Sequence, residues 1–117
     1  MPLAHVSLGQ PQYVPLNVTA LLINQLGFKT FLKEIILHNI STTIESVEIF
    51  EADSVGGTLG TPGIERRLLK VTVNPDDTIF IGFADVIILD AENDAIFCKC
   101  SAASKIVIKF EGDLEDV

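Results

Sequence analysis

Phe28-Lys29-Thr30-Phe31-Leu32-Lys33-Glu34-Ile35-Ile36-Leu37-His38-Asn39 is the longest run of strand-forming residues in the chain. On a period of two, Phe31, Lys33, Ile35 and Leu37 share one face, and Leu32, Glu34 and Ile36 share the other. Lys33-Glu34 would suit a helix start, but no capping residue precedes it and no glycine stop follows. The isoleucine-rich stretch after it favours a pleated strand.

The same grammar continues in both directions. Upstream, Val18 to Ile23 is strand-like and ends at the turn Asn24-Gln25-Leu26-Gly27. Downstream, Ile40-Ser41-Thr42-Thr43 is a polar connection. Ile44 to Ala52 then alternates, with Val47 and Ile49 on one face and Glu48 and Phe50 on the other. Leu68 to Val73 follows, closed by Asn74-Pro75-Asp76-Asp77, where proline presets φ and the Asx side chains bond their own backbone. Thr78 to Phe83, Val86 to Leu89, Ala95 to Cys100 and Ile106 to Phe110 complete the set. Apolar residues on both faces of Val86 to Leu89 fit the centre of a two-sheet sandwich. About eight short strands roughly ten residues apart, separated by turn chemistry, predict an all-β fold, an antiparallel jelly-roll-like β-sandwich.

One domain accounts for the chain. Its 117 residues are too few for two ordinary domains but enough to bury roughly two-thirds of the unfolded surface. Residues 18–117 form the predicted sandwich. Residues 1–17 read as an extended arm, because Pro2, Pro11 and Pro15 fit poorly in a central strand. The arm packs either on its own domain or on a neighbour. The tail from Glu111 to Val117 is acidic and reads as exposed.

Composition narrows the function. There are 16 acidic and 8 basic residues, a net charge of −8, which argues against nucleic acid and anionic membrane as partners. No apolar run reaches the length of a membrane-spanning helix. Residues 1–10 show no signal-peptide pattern, which implies use in the cytoplasm or in a particle assembled there. Cys98 and Cys100, two residues apart on one strand face, read as small buried hydrophobes with reduced thiols. His5 and His38 are isolated, so neither a metal centre nor a cofactor site is predicted. No catalytic residues are assigned, since no nucleophile elbow or Walker-type loop occurs. The glycine-rich stretch from Asp53 to Gly63 holds four of the eight glycines and reads as a surface loop or a subunit contact.

Hydrophobic residues make up 48% of the chain, and mean hydropathy is +0.42. That is apolar for a small domain, so part of the surface is expected to face other protein chains. Chain position selects Val6, Leu8, Tyr13 and Val14 in the arm, and Val55, Leu59 and Ile64 in and beside the long loop, as candidate interface residues.

Several phrases carry a resemblance. They are Lys33-Glu34-Ile35-Ile36-Leu37-His38-Asn39-Ile40-Ser41, then Leu68 to Val73 with its Pro-Asp-Asp turn, and Ile88 to Asp94. The last is the Ser101-Ala102-Ala103-Ser104-Lys105 link into a strand ending at Glu111-Gly112. From about Phe28 to Val117 the chain resembles small β-sandwich virion proteins of tailed bacteriophages. The resemblance implies a non-enzymatic capsid decoration, or cement, protein on the outer head surface. It would bind the major capsid protein or other virion proteins, commonly as a homotrimer. A tail, neck or fibre component is the alternative within that group. A carbohydrate-binding module ranks below both, since the chain has no Trp and one Tyr.

Overall fold

The computed structural model of the chain describes residues 4–116, with side chains from residue 8 onward. The strands are β1 (Ala4–Ser7), β2 (Gln12–Tyr13), β3 (Thr19–Ile23), β4 (Phe28–Asn39), β5 (Glu45–Ala52), β6 (Arg67–Val73), β7 (Thr78–Leu89), β8 (Ala95–Cys100) and β9 (Ile106–Asp116). A 3-10 turn, Ile64–Arg66, precedes β6.

Two antiparallel sheets form the sandwich. The first runs β1–β9–β4–β7, with β2 also on β9, and the second runs β3–β8–β5–β6. β1 and β2 lie end to end along β9, and the Leu8 N–H donates to the Phe110 carbonyl between them (2.9 Å). They act as one strand interrupted at Gly9, whose φ of +103° lies where glycine is favoured. Counted so, there are eight strands. The first pairs with the last, β3 with β8, β4 with β7 and β5 with β6. That nesting of antiparallel pairs is the jelly roll.

The strand number agrees with the sequence reading, but its make-up differs. The arm supplies one strand, and Thr78 to Phe83 and Val86 to Leu89 merge into β7. The arm packs on its own domain, with the Val14 N–H on the Ile106 carbonyl and the Cys100 N–H on the Pro15 carbonyl (2.9 and 2.8 Å). Pro11 and Pro15 sit at this outer edge, where a missing N–H breaks no ladder. The acidic tail is also not a free end. It continues β9 in the interior of the first sheet, and Asp113 is buried against Lys33 (2.6 Å).

The facing of β4 is the other correction. Leu32 pairs with Gly112 and Glu34 with Glu111, so Lys33 is an extra residue bulged out of the ladder. The bulge switches parity, and Thr30, Leu32, Ile35, Leu37 and Asn39 all face inward. Gly112 is required at this point, since a Cβ there would collide with the Phe31 carbonyl oxygen.

The core between the sheets is built from Leu32, Ile35, Leu37, Ile49, Ile108 and Phe110, with Cys98 and Cys100 among them. Both cysteines are free and buried, and burial pushes the Cys98 thiol far up. Two buried asparagines fasten the loops at opposite ends. At one end, Asn24 donates to the Phe28 and Ala91 carbonyls and accepts from Thr30. At the other, Asn39 donates to the Thr43 and Val73 carbonyls and accepts from Ser41.

Candidate interaction surface

The two sheets treat their outer faces differently. On the second sheet, Phe50, Ala52, Ala95 and Phe97 point away from the main core, yet all four are buried. Ala20 packs against this cluster, and the chain between β5 and β6 folds back on it at Ala52. Val55-Gly56-Gly57-Thr58 closes a two-residue hairpin, with φ of +59° and +81° at the glycines and two backbone bonds between Val55 and Thr58. The loop then returns so that Gly60 lies over Ala52, where a Cβ would stand 3.5 Å from the alanine methyl. Arg66 holds the far side by donating to the Glu51 carbonyl (3.2 Å) and the Asp53 carboxylate (3.1 Å). Asp94 fixes the near side. Burial pushes its carboxyl up, but hydrogen bonds from the Ser54 and Ala91 N–H groups outweigh that and hold it below the usual range.

Beyond the loop this face is ionic. Glu48 accepts from Arg67 at 2.9 Å and lies 3.7 Å from Lys99. The Arg67 hydrogen bond, aided by neighbouring lysines, holds its carboxyl below the usual range.

On the first sheet, no such covering loop lies over the outer face among the described residues. One outward row is Tyr13, Val107, His38 and Thr78, and the next is Lys109, Ile36 and Phe80. Tyr13 is 50% exposed and Phe80 66%. Further along β7, Val86 and Ile88 are also exposed. β7 is an edge strand, because its only partner among the described strands is β4. His38 bridges to it, with Nδ1 2.6 Å from Thr78 Oγ1 and Nε2 4.0 Å from Asp76.

The predicted interface residues divide accordingly. Leu8 and Val14 are corrected from surface to core, because pairing of the arm with β9 turns them inward. Val6 pairs through its backbone with Gly112, and its side chain lies outside the described residues. Val55, Leu59 and Ile64 are exposed together in the β5–β6 connection, while Tyr13 stands apart on the first sheet. Sequence reasoning missed Phe80, Val86 and Ile88. Their signal was present in the apolar stretches Ile79-Phe80-Ile81 and Val86-Ile87-Ile88-Leu89, which suit an uncovered edge as well as a buried centre.

A cleft of about 350 Å³ opens at the end of the sandwich near Asn24. Leu8, Leu21, Leu22, Phe28 and Leu114 line it, with Thr30 and Gln25 as polar members. The Thr30 hydroxyl is already engaged by Asn24 (2.7 Å). Among the described residues, no three His, Cys, Asp or Glu side chains are placed to share a metal ion. No described helix is long and apolar enough to cross a membrane. Comparison with protein-family models, curated proteins and solved structures finds no match for the chain.

Proposed function

We propose that this protein is a non-enzymatic structural component that works by packing against other protein chains. Its setting is the outer surface of a phage head, where it acts as a decoration protein tying neighbouring major capsid subunits. The observation that carries the reading is the uncovered outer face of the first sheet, with Phe80 66% exposed beside Ile36. The equivalent apolar residues of the second sheet are buried, so exposure on the first is selective. Apolar surface left open by a domain that can cover it is surface kept for a partner. The virion setting rests on the phrases from Lys33 to Ser41 and from Ser101 to Gly112.

Fluorescently labelled protein mixed with phage heads stripped of it tests the role. Saturable binding over the head surface supports it. Binding confined to the tail overturns the head placement in favour of a tail or fibre role, and no binding to either overturns the virion setting.

A further inference from the structure

We infer that the free edge of β7 pairs with the same edge of a second copy, antiparallel, across a two-fold axis at Phe80. This rests on the reading of the chain as an assembly protein and names one of its partners.

Edge strands expose unpaired backbone groups, and proteins usually guard them with short length, breaks, prolines or charge. Three of the four edges here are guarded. β1 and β2 are broken at Gly9 and flanked by Pro11. β3 has five residues with a bulge, and its Leu21 carbonyl already accepts from the Gln12 side chain. β6 carries Arg67 and Lys70 and has its own irregularity opposite β5. β7 has twelve residues, no Lys, Arg or Pro, and Asp85 as its single charge, and its own irregularity lies beyond Gly82, so the stretch from Thr78 to Gly82 is regular and unguarded.

The hydrogen-bond phase of β7 selects the register. The Asn39 N–H donates to the Asp77 carbonyl (3.0 Å), one step beyond the His38 and Thr78 pair. Bonded pairs alternate along an antiparallel ladder, so Leu37 with Ile79 and Ile35 with Ile81 are the next bonded pairs. Thr78, Phe80 and Gly82 therefore turn their N–H and C=O groups to the open edge. A two-fold axis at Phe80 sets Phe80 opposite its own copy as a bonded pair and Thr78 opposite Gly82. The Thr78 N–H is held by the Asp77 carboxylate (3.0 Å), which leaves the Phe80 pair as the centre of the contact.

Side chains fit the same register. The two Phe80 rings meet on the outer face, where aromatic pairs are favourable. Gly82 has open space around its Cα, so nothing blocks the facing Thr78. Ile79 and Ile81, half-buried in one copy, cover each other across the seam. Residues 78–84 carry no charge, so two chains of net charge −8 can approach there without a directly opposed like pair. After Gly82 the ladder resumes only at Ile87, and the bulge between them takes Asp85 out of line and ends the pairing.

An isologous edge contact closes as a dimer, whereas a trimer would need two different patches at every contact. Sedimentation equilibrium of the intact chain over a micromolar series tests this. A dimer is expected, with Phe80→Lys raising its dissociation constant by at least about tenfold. Leu68→Lys on the β6 edge should leave it unchanged. Phe80→Cys gives an independent measure, since bonded antiparallel pairs stand about 5.5 Å apart at Cα, within disulfide reach. Oxidation should crosslink that variant into dimers, with Cys98 and Cys100 buried and silent. A monomer, a trimer, a dimer indifferent to Phe80→Lys or a failure of Phe80→Cys to crosslink overturns the pairing. A monomer that still coats phage heads overturns the pairing alone and leaves the decoration role standing.

Discussion

The outer faces of the two sheets begin from similar material and end differently. Phe50 and Phe97 on the second sheet are 5% and 6% exposed, while Phe80 on the first is 66% exposed. All three sit on strands at positions facing away from the main core. The difference lies in the connections. The β5–β6 connection is long enough to fold back over its sheet, whereas the turn before β7 is the tight Asn74-Pro75-Asp76-Asp77. Of the two outer faces of the jelly roll, the long β5–β6 connection folds back on one. The outer-face phenylalanines of the second sheet are thus buried, whereas Phe80 on the first is exposed.

Removing one aromatic from each face gives the largest contrast. Phe97→Ala should destabilise the fold by about 3 kcal/mol, as expected for emptying a buried aromatic site. Phe80→Ala should cost less than about 0.5 kcal/mol, as expected of an exposed position. Urea unfolding of both variants at low protein concentration, where association does not contribute, measures the difference. Equal costs would mean that the two faces are not distinct.

A smaller effect is expected from lifting the cover without touching what it covers. A Cβ on Gly60 would run into the Asp53 carbonyl oxygen, so Gly60→Ala must displace the loop from Ala52. The expected cost is about 1–2 kcal/mol, typical of steric insertion into a packed site. Increased binding of a hydrophobic dye would report the uncovered Phe50 and Phe97. Unchanged stability and dye binding would show that Gly60 does not hold the loop down.

Much of the architecture was readable from alternation and turn chemistry. Asn74-Pro75-Asp76-Asp77 is the turn its residues predict, with the Asp77 N–H on the Asn74 carbonyl (3.2 Å) and Asp76 at φ +55°. Cys98 and Cys100 lie inside, as their spacing suggested. What escaped the reading depends on neighbours distant in sequence. The parity switch at Lys33 falls where β9 brings Gly112, which has no side chain, against Leu32. The acidic tail becomes interior because β1 and β4 flank it and Lys33 meets Asp113. The arm buries Leu8 and Val14 because β9 offers an open edge that no local pattern announces. Phe80 was hidden for the converse reason, since an apolar strand looks alike whether a sheet covers it or a partner does.

The smallest expected effect concerns acid groups at the base of the covering loop. Burial pushes the Glu51 carboxyl above its ordinary value, and Asp53 adds to the rise. Asp94 nearby is held below its ordinary value by the hydrogen bonds it accepts. The two groups act with opposite sign. A carboxyl whose folded pKa is raised penalises the fold while ionised, so Glu51 costs stability at neutral pH, and that cost fades as the pH falls through its folded pKa. A carboxyl whose folded pKa is lowered supports the fold while ionised, and Asp94 withdraws that support as it is protonated on acidification. Glu51→Gln should therefore raise the melting temperature at neutral pH by a small margin. The margin should close as the pH drops below the ordinary glutamate range, even while Asp94 makes both proteins less stable. Melting curves of the two proteins across that range measure the difference directly. A margin independent of pH would mean that the side chain acts by packing and not by charge. A loss of stability at neutral pH would mean that the ionised Glu51 supports the loop instead of opposing it.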